Sequence, residues 1–303
     1  RDGITVNLVY DGRAARVMLD NDKVKEIEKY YAQCEQEGAN EYQIEESQKA
    51  VAKMEAIIGD PDILRAVAED FINHYETRVR EGATVAGKAL FVCANRYIAY
   101  DFYKIVTELR PEWAEKKICS DDVILDDKDK KELKPMEKIK LVMTRNKDDE
   151  KDLFDMLGTK DDRKEFDRQF KNPKSNFKIA IVVDMWLTGF DVPELDTIYI
   201  DKPIQQHTLI QTISRVNRVC EGKDKGLIVD YIGIKKNMNT ALKKYTNFES
   251  EEFEGVEQCV TIVKDQLEVL GQMFHNFNSK DFFCGVPMEQ LACLNRAVEY
   301  VQL

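Results

Sequence analysis

The stretch FKIAIVVDMWLTGFDVP, residues 177–193, decides the fold. Its first half, FKIAIVVD, is a nearly continuous apolar run of strand length, which is typical of a strand buried on both faces. Its second half is a loop in which Gly189 permits a tight turn and Pro193 ends the segment. Open parallel sheets bind ligands beyond the carboxyl ends of their strands, so this loop is a candidate site.

Similar apolar runs lie on both sides of this stretch and alternate with helical patterns. Further buried-type strands are predicted at 88–94, 139–144, 197–201 and 226–233. Helices are predicted at 96–109, 163–170 and 207–220. Strands that alternate with helices in this way predict an α/β fold with a parallel sheet covered on both faces. Two charged insertions, 120–138 and 145–162, are interpreted as exposed loops or short helices without chemistry.

The segments that flank this pattern are different in character. Residues 4–13 alternate apolar and polar side chains and are interpreted as a short strand or an extended linker. Residues 20–80 are polar with a helical period, and Asp60-Pro61 marks a helix start. Residues 237–303 are helical again. The sequence therefore predicts one α/β lobe between two helical regions.

Composition narrows the class of protein. The net charge of −11 argues against a protein that coats nucleic acid non-specifically, although a local basic track is compatible with it. The seven cysteines form no CxxC pair and there are three histidines, so we expect no metal site and a reducing, cytoplasmic setting. No apolar run has transmembrane length, so no membrane partner is expected. Because the chain opens on Arg1 inside what resembles mid-domain sequence, we interpret it as a fragment.

Two segments offer groups that could carry chemistry. In the loop after the strand FKIAIVVD, Thr188 supplies a hydroxyl and Asp191 a carboxylate suited to a ribose hydroxyl or to an arginine. On the predicted helix 207–220, Gln211, Arg215 and Arg218 share one face and suit a polyanion such as a nucleoside triphosphate. Taken alone, the first segment is more simply a plain turn after a strand, and the second is equally a solvated basic face.

A further segment imitates a phosphate-binding loop. Residues Gly82 to Lys88 have the spacing GxxxxGK, but Ala89 follows where a hydroxyl is needed for Mg²⁺. The segment also precedes a strand, whereas a phosphate-binding loop follows a strand and opens a helix. We therefore expect it to bind no phosphate.

MWLTGFDVP (185–193) and QTISRVNR (211–218) resemble motifs V and VI of superfamily 2 helicases and translocases, and Phe91 to Arg96 resembles motif IV. TGFDVP, QTISRVNR and GLIVDYIG in this order resemble the R subunit of type I restriction-modification enzymes, over roughly 85–235. VYDGR (9–13) resembles the connector from that family's first motor lobe. Ser214 and Gln211 depart from the superfamily's usual Gly and frequent His, which weakens a DEAD-box interpretation.

The resemblance implies a RecA-like (P-loop NTPase-type) lobe at 85–236, preceded by a connector (1–20) and a helical segment (21–84) and followed by a C-terminal helical region (237–303). It also implies a role for each matching residue. The catalytic pair is Arg215 and Arg218; the nucleotide-binding residues are Gly189, Asp191 and Gln211; and the DNA-contacting residues are Asn95, Arg96 and Thr188.

The implied activity is ATP- and Mg²⁺-dependent translocation of duplex DNA before cleavage. The implied partners are the chain's own first motor lobe and the modification and specificity subunits of a restriction complex. The phosphate cradle, the metal-binding box and the nuclease are expected in sequence N-terminal to this chain, so we expect it to bind no ATP or Mg²⁺ stably and to hydrolyse no ATP alone. The alternatives are a lobe of another superfamily 2 DNA or RNA helicase and a non-catalytic subunit-docking module.

Overall fold

A computed structural model describes residues 5–13, 55–120, 123–187, 189–202, 204, 206–232, 253–255, 274, 277–284 and 286–302. The chain divides into two compact units, Arg1–Phe253 and Glu254–Leu303. A parallel sheet with helices against it forms the first unit, and the described part of the second consists mainly of one short and one longer helix.

Six parallel strands make up the sheet of the first unit. They are β1 (Asn7–Gly12), β2 (Lys88–Cys93), β3 (Ile139–Val142), β4 (Ile179–Val182), β5 (Leu195–Asp201) and β6 (Lys225–Asp230). Their order across the sheet is β3-β4-β2-β5-β6-β1, and every one of these pairings is parallel. A three-residue strand, β7 (Phe253–Gly255), spans the boundary between the units. The predicted α/β class, a parallel sheet with helices against it, is confirmed.

Eight α-helices lie in the described part of the chain, and some of them begin at a cap that the sequence supplies. In chain order they are α1 (Pro61–Arg80), α2 (Arg96–Leu109), α3 (Asp129–Glu132), α4 (Lys151–Met156), α5 (Lys160–Lys171), α6 (Gln206–Ile213), α7 (Lys280–Cys284) and α8 (Pro287–Gln302). The Asp60 carboxylate caps α1, as Asp60-Pro61 predicts, and the Asn95 amide oxygen caps α2. Thr159 and Asp162 form a capping box on α5. The starts of α1, α2 and α5 are therefore fixed locally, whereas α3 and α4 begin without a side-chain cap.

The core lies on both faces of the central strands, whose residues are buried throughout in β2, β4 and β5. On one face, Phe71 of α1 meets Phe91 and Tyr199 edge-on, with ring centroids 5.1 and 4.7 Å away. Phe91 also stacks on Phe102 of α2 at 3.9 Å. The helix α1, which belongs to the predicted 21–84 segment, thus supplies part of the core of the lobe.

Residues 7–12 settle the open choice between strand and linker. They form β1, which pairs along its whole length with β6 at one side of the sheet. The sheet therefore includes chain from the predicted connector as well as from 85–236. The predicted boundary at 236/237 and most of the predicted helical segments 21–84 and 237–303 lie outside the described residues.

One predicted helix is wrong in length. The sequence favoured a helix over 207–220, but α6 ends at Ile213 and tight turns follow. In a continuing helix the Gln211 carbonyl would accept from the Arg215 backbone amide. It instead accepts from the Ser214 hydroxyl (2.6 Å) and from Arg215 Nε (3.0 Å). These side chains compete with the backbone for the carbonyl, so the chain leaves the helical path at this point.

Both charged insertions contain a short helix, as predicted: α3 lies within 120–138 and α4 within 145–162. Leu133 and Leu153 in these insertions are nevertheless buried, so neither is entirely a surface loop. In the second unit, Phe277 and Tyr300 form a ring contact at 5.3 Å. Within the described parts of both units, no helix is both long and apolar enough to cross a bilayer.

Candidate functional site

The two segments singled out by sequence meet beyond the carboxyl end of β4. Arg215 Nη1 donates a 2.6 Å hydrogen bond to the backbone carbonyl of Phe190, in the loop that follows β4. Arg218 Nη1 lies 2.6 Å from the Asp191 carboxylate in the same loop. The loop and the arginine segment are therefore joined directly at two consecutive loop residues.

Arg215 keeps most of its charge uncompensated. In the described part of the chain its side chain donates to neutral acceptors: the carbonyls of Phe190 and Gln211 and the Ser214 hydroxyl. Burial lowers the pKa of Arg215, and the neighbouring Arg218 adds to that effect. The guanidinium remains protonated, because arginine pKa values lie far above neutrality. A half-buried cation held by dipoles is suited to receive an anion.

Arg218 is held differently. It and Asp191 have 45% and 51% of their side-chain surfaces exposed, so their ion pair is solvated and weak. The backbone at Arg218 bridges Thr5 in antiparallel fashion, and Val6 N donates to Asn217 O at 3.0 Å. The side chain is free to exchange Asp191 for another anion while its backbone stays anchored beside the start of β1.

The loop itself has an unusual backbone. Gly189 has a φ of +69° and no atom within 4 Å of where a Cβ would stand, so open space lies above it. Trp186 also has a positive φ, of 68°, and its ring stacks on Phe190.

Gln211 enters the site through its carbonyl, as acceptor for Arg215 Nε and the Ser214 hydroxyl. Thr188, predicted to contact DNA, lies outside the described residues.

A cleft of about 520 Å³ lies beside this loop, at the carboxyl ends of β2, β3 and β4. Its lining includes Asn95 and Arg96, which were predicted to contact DNA, together with Thr144, Asp184 and Met185. The structure thus places two of the three predicted DNA-contacting residues at one edge of the sheet, next to the loop that carries the third.

Both of these cleft residues also make contacts within the chain. The Asn95 side-chain oxygen accepts from the backbone amides of Tyr97 and Ile98 and so caps α2. Arg96 Nη2 lies 2.6 Å from Asp149, whose side chain is only 1% exposed. The Arg96 guanidinium is therefore oriented by a buried carboxylate.

Sequence reasoning missed two residues that shape this edge. Asp149 lies in an insertion that was judged free of chemistry, and no sequence signal marks it. Lys202 follows β5 and donates to Val183 O at 3.0 Å and to Asp184 at 2.6 Å, which ties the exit of β4 to the exit of β5. Its place directly after a predicted buried strand was a usable signal.

A buried polar network lies at the carboxyl end of β1, at the same edge of the sheet as the loop. Arg13 pairs with Asp70 at 2.7 Å and with Asp11 at 2.9 Å. Burial lowers the pKa of His74 to about 4, with the nearby Arg13 adding to the effect. Burial, with a contribution from Asp230, raises the pKa of Asp201 to about 7. Among the described residues, no group of three or more His, Cys, Asp or Glu side chains has the arrangement of a metal site.

The apparent phosphate-binding loop has no free lysine. Lys88 is 1% exposed and donates to the carbonyl of Phe177 at 2.6 Å, at the start of β2. Its ammonium also lies 5.0 Å from the centre of the Phe170 ring. The lysine therefore points into the protein.

Two family models match consecutive parts of the chain. Residues 85–233 match "Type I restriction enzyme subunit R domain 3", and residues 235–303 match "Type I restriction enzyme HindI endonuclease subunit-like, C-terminal". A putative type I restriction enzyme MjaIXP endonuclease subunit from Methanocaldococcus jannaschii is 34% identical over 93% of this chain and 24% of its own length. The HindI endonuclease subunit from Haemophilus influenzae is 33% identical over 90% of this chain and 24% of its own.

The chain thus spans 24% of the length of these curated relatives. Among solved structures, a fragment of a putative HsdR subunit from Vibrio vulnificus has 12% identity and a TM-score of 0.46 over 84% of this chain and 36% of its own. The DEAD-box helicase Mss116 has 13% identity and a TM-score of 0.38 over 79% of this chain and 39% of its own. Both TM-scores are below 0.5, so the family assignment rests on the sequence matches alone.

Proposed function

Because the chain belongs to the R subunits of type I restriction enzymes, we propose that it is the second motor lobe of such a subunit. In this proposal Arg215 and Arg218 complete an ATP site whose phosphate cradle and Mg²⁺-binding residues lie in the first motor lobe. Hydrolysis at that site drives duplex DNA past the complex before cleavage. Helicase and restriction activity belong to the whole subunit, and the chain alone hydrolyses no ATP.

The observation that carries this proposal is the double contact between the loop and the arginine segment. It brings two guanidinium groups together beyond the carboxyl end of β4, one bound to the neutral carbonyl of Phe190 and one to the exposed carboxylate of Asp191. A nucleoside triphosphate offers both the phosphate oxygens that such groups bind and a ribose suited to the Asp191 side chain. Gly189 leaves open space in which the nucleotide could approach the backbone.

The adjoining cleft supports the DNA part of the proposal. Asn95 and Arg96 line a cleft that also includes Asp184 and Met185, where the loop leaves β4. A movement of that loop on ATP binding would therefore change the cleft as well. Since phosphate contacts position nucleic acid without reading its sequence, we propose that Asn95, Arg96 and Thr188 contact the DNA backbone and that base recognition lies in the specificity subunit.

The test uses the full-length R subunit assembled with its modification and specificity subunits. Arg215→Ala and Arg218→Ala should each lower the ATPase kcat by roughly 10³-fold, as loss of an arginine finger does, while each variant still folds. Arg65→Ala is the matched control, because Arg65 is a solvated arginine on α1 paired with Glu69 and Glu108. Wild-type ATPase rates in both motif variants would refute the proposal, as would ATP hydrolysis by this chain alone that Arg218→Ala abolishes.

A second candidate function, docking onto partner subunits, is favoured by the surface of α8. Its exposed apolar side chains include Met288 (79%), Leu291 (57%) and Val298 (57%). Leu291 and Val298 are seven residues apart, so they lie on the same side of the helix. Leu291→Glu with Val298→Glu should weaken capture of the R subunit by the modification and specificity subunits and leave its ATPase rate intact. Unchanged capture would exclude this surface as the docking site.

A further inference from the structure

Trp186 has a backbone conformation that its side chain does not favour. Among the described residues it is the one non-glycine position with a positive φ, at 68°. A left-handed backbone is unfavourable for a residue with a large side chain, and it persists only where the surroundings enforce it. Trp186 lies four residues before Phe190, inside the loop that holds both arginines.

The enforcing contact is an aromatic stack. The Trp186 and Phe190 rings are 4.1 Å apart between centroids and 3° from parallel. Phe170 of α5 lies 5.2 Å from the Trp186 ring and 6.0 Å from the Phe190 ring, so the pair rests on the helix that covers this face. Phe190 is 6% exposed, and Lys171 lies 5.0 Å from the centre of its ring. The left-handed turn at Trp186 brings its ring back over Phe190.

The stack fixes a backbone group that Arg215 uses. The carbonyl of Phe190 is the acceptor for Arg215 Nη1 at 2.6 Å. The other two hydrogen bonds of the Arg215 side chain, to Gln211 O and Ser214 Oγ, are made within its own segment, so these acceptors move with it. The Phe190 carbonyl is therefore the contact that sets Arg215 relative to the sheet.

We propose that Trp186 is a positioning residue for Arg215, acting through its stack on Phe190. This rests on the proposed role of Arg215 in ATP hydrolysis and adds to it a residue that acts on Arg215 through Phe190. An interaction made chiefly in the transition state affects kcat more than KM. Loss of the stack should therefore lower kcat and leave the KM for ATP nearly unchanged.

The experiment measures ATPase kinetics of the full-length R subunit in its complex. Trp186→Gly keeps a residue that favours positive φ but removes the ring, and it should lower kcat by about 10- to 100-fold, the effect of a small misplacement of a catalytic group. Trp186→Phe keeps an aromatic ring for the stack and should restore most of the rate. Phe190→Leu keeps the carbonyl and the apolar bulk but removes the partner ring, so it should show the same kcat loss even if Trp186→Gly fails to fold.

A double-mutant cycle separates this inference from the function it rests on. If Trp186 acts through Arg215, Trp186→Gly should add no further loss in an Arg215→Ala background. The inference would be overturned if Trp186→Gly lowered kcat by the same factor in the Arg215→Ala background as in the wild type. It would also be overturned if Trp186→Gly and Phe190→Leu both kept the wild-type kcat. Either result would leave the proposed function standing. A wild-type rate in Arg215→Ala itself would instead overturn the proposed function.

Discussion

Gly226 offers a direct test of how closely the arginine segment is packed on the sheet. It is the second residue of β6, and a Cβ built there would lie 2.3 Å from the carbonyl oxygen of Val216 and 2.8 Å from its carbonyl carbon. Both are backbone atoms, so no side-chain rotation can relieve the contact. Gly226→Ala must therefore push the chain at Val216 away from the sheet by about 1 Å, the difference from an ordinary contact of ~3.5 Å.

The expected effects follow from that displacement. Overpacking of this kind costs about 1–3 kcal/mol of the free energy of unfolding. For a protein of this size each kcal/mol lowers Tm by roughly 2–4 °C. Val216 also lies between Arg215 and Arg218, so the same movement misplaces the arginines. The ATPase kcat of the full-length R subunit should fall by about 10- to 100-fold.

Gly222→Ala is the matched control. Gly222 has a φ of +77° and no atom within 4 Å of a built Cβ, so alanine there strains the backbone without pushing any neighbour. It should cost about 1 kcal/mol of stability and leave kcat unchanged. Thermal unfolding of the purified chain and ATPase assays of the full subunit measure the two effects. The reasoning fails if Gly226→Ala equals Gly222→Ala in both assays.

Three further substitutions test buried ionisable side chains. Asp149→Asn removes the buried negative charge that pairs with Arg96 and should lower the free energy of unfolding by about 1–3 kcal/mol in urea titrations, where no change would contradict the structure. For His74 the folded-state pKa of about 4 lies below the ordinary 6.5. Its stabilisation is therefore full above pH 6.5 and is lost as pH falls towards 4, by on the order of 3 kcal/mol, and His74→Gln should flatten that part of the profile. For Asp201 the folded-state pKa of about 7 lies above the ordinary 3.8, so stability falls as pH rises between these values. Asp201→Asn should therefore be stabilised relative to wild type at pH 8 and not at pH 4, and equal differences at both would count against the buried carboxyl.

Much of the sheet could be predicted from sequence, because strands buried on both faces leave long apolar runs that few other structures produce. The strand β4 and its loop were predicted in this way, and Asp191 was recognised as a carboxylate suited to an arginine. The pairing of β1 with β6 could not be predicted, because it joins segments more than 200 residues apart, Asn7 with Lys225. Nothing local to residues 4–13 distinguishes an added strand from a linker.

The details of the site were harder to predict from sequence, because they also depend on contacts that no local pattern shows. The end of α6 depends on a competition for one carbonyl, that of Gln211, between a helical amide and two side chains. Hydrophobic periodicity does not register that competition, so the predicted helix ran on to residue 220. The role of Asp149 was hidden because a carboxylate in a charged insertion resembles its solvated neighbours until the fold buries it against Arg96.

The bridge between Thr5 and Arg218 also has a mechanical meaning. The strand that begins at Asn7 runs beside β6, and the residues just before it hold the backbone of Asn217 and Arg218. Tension applied along the chain at Thr5 and Val6 would thus reach Arg218 through backbone hydrogen bonds, with no flexible side chain in series. In the motor lobe proposed above, a force on the segment before β1 would therefore act on the arginine segment directly, through its backbone.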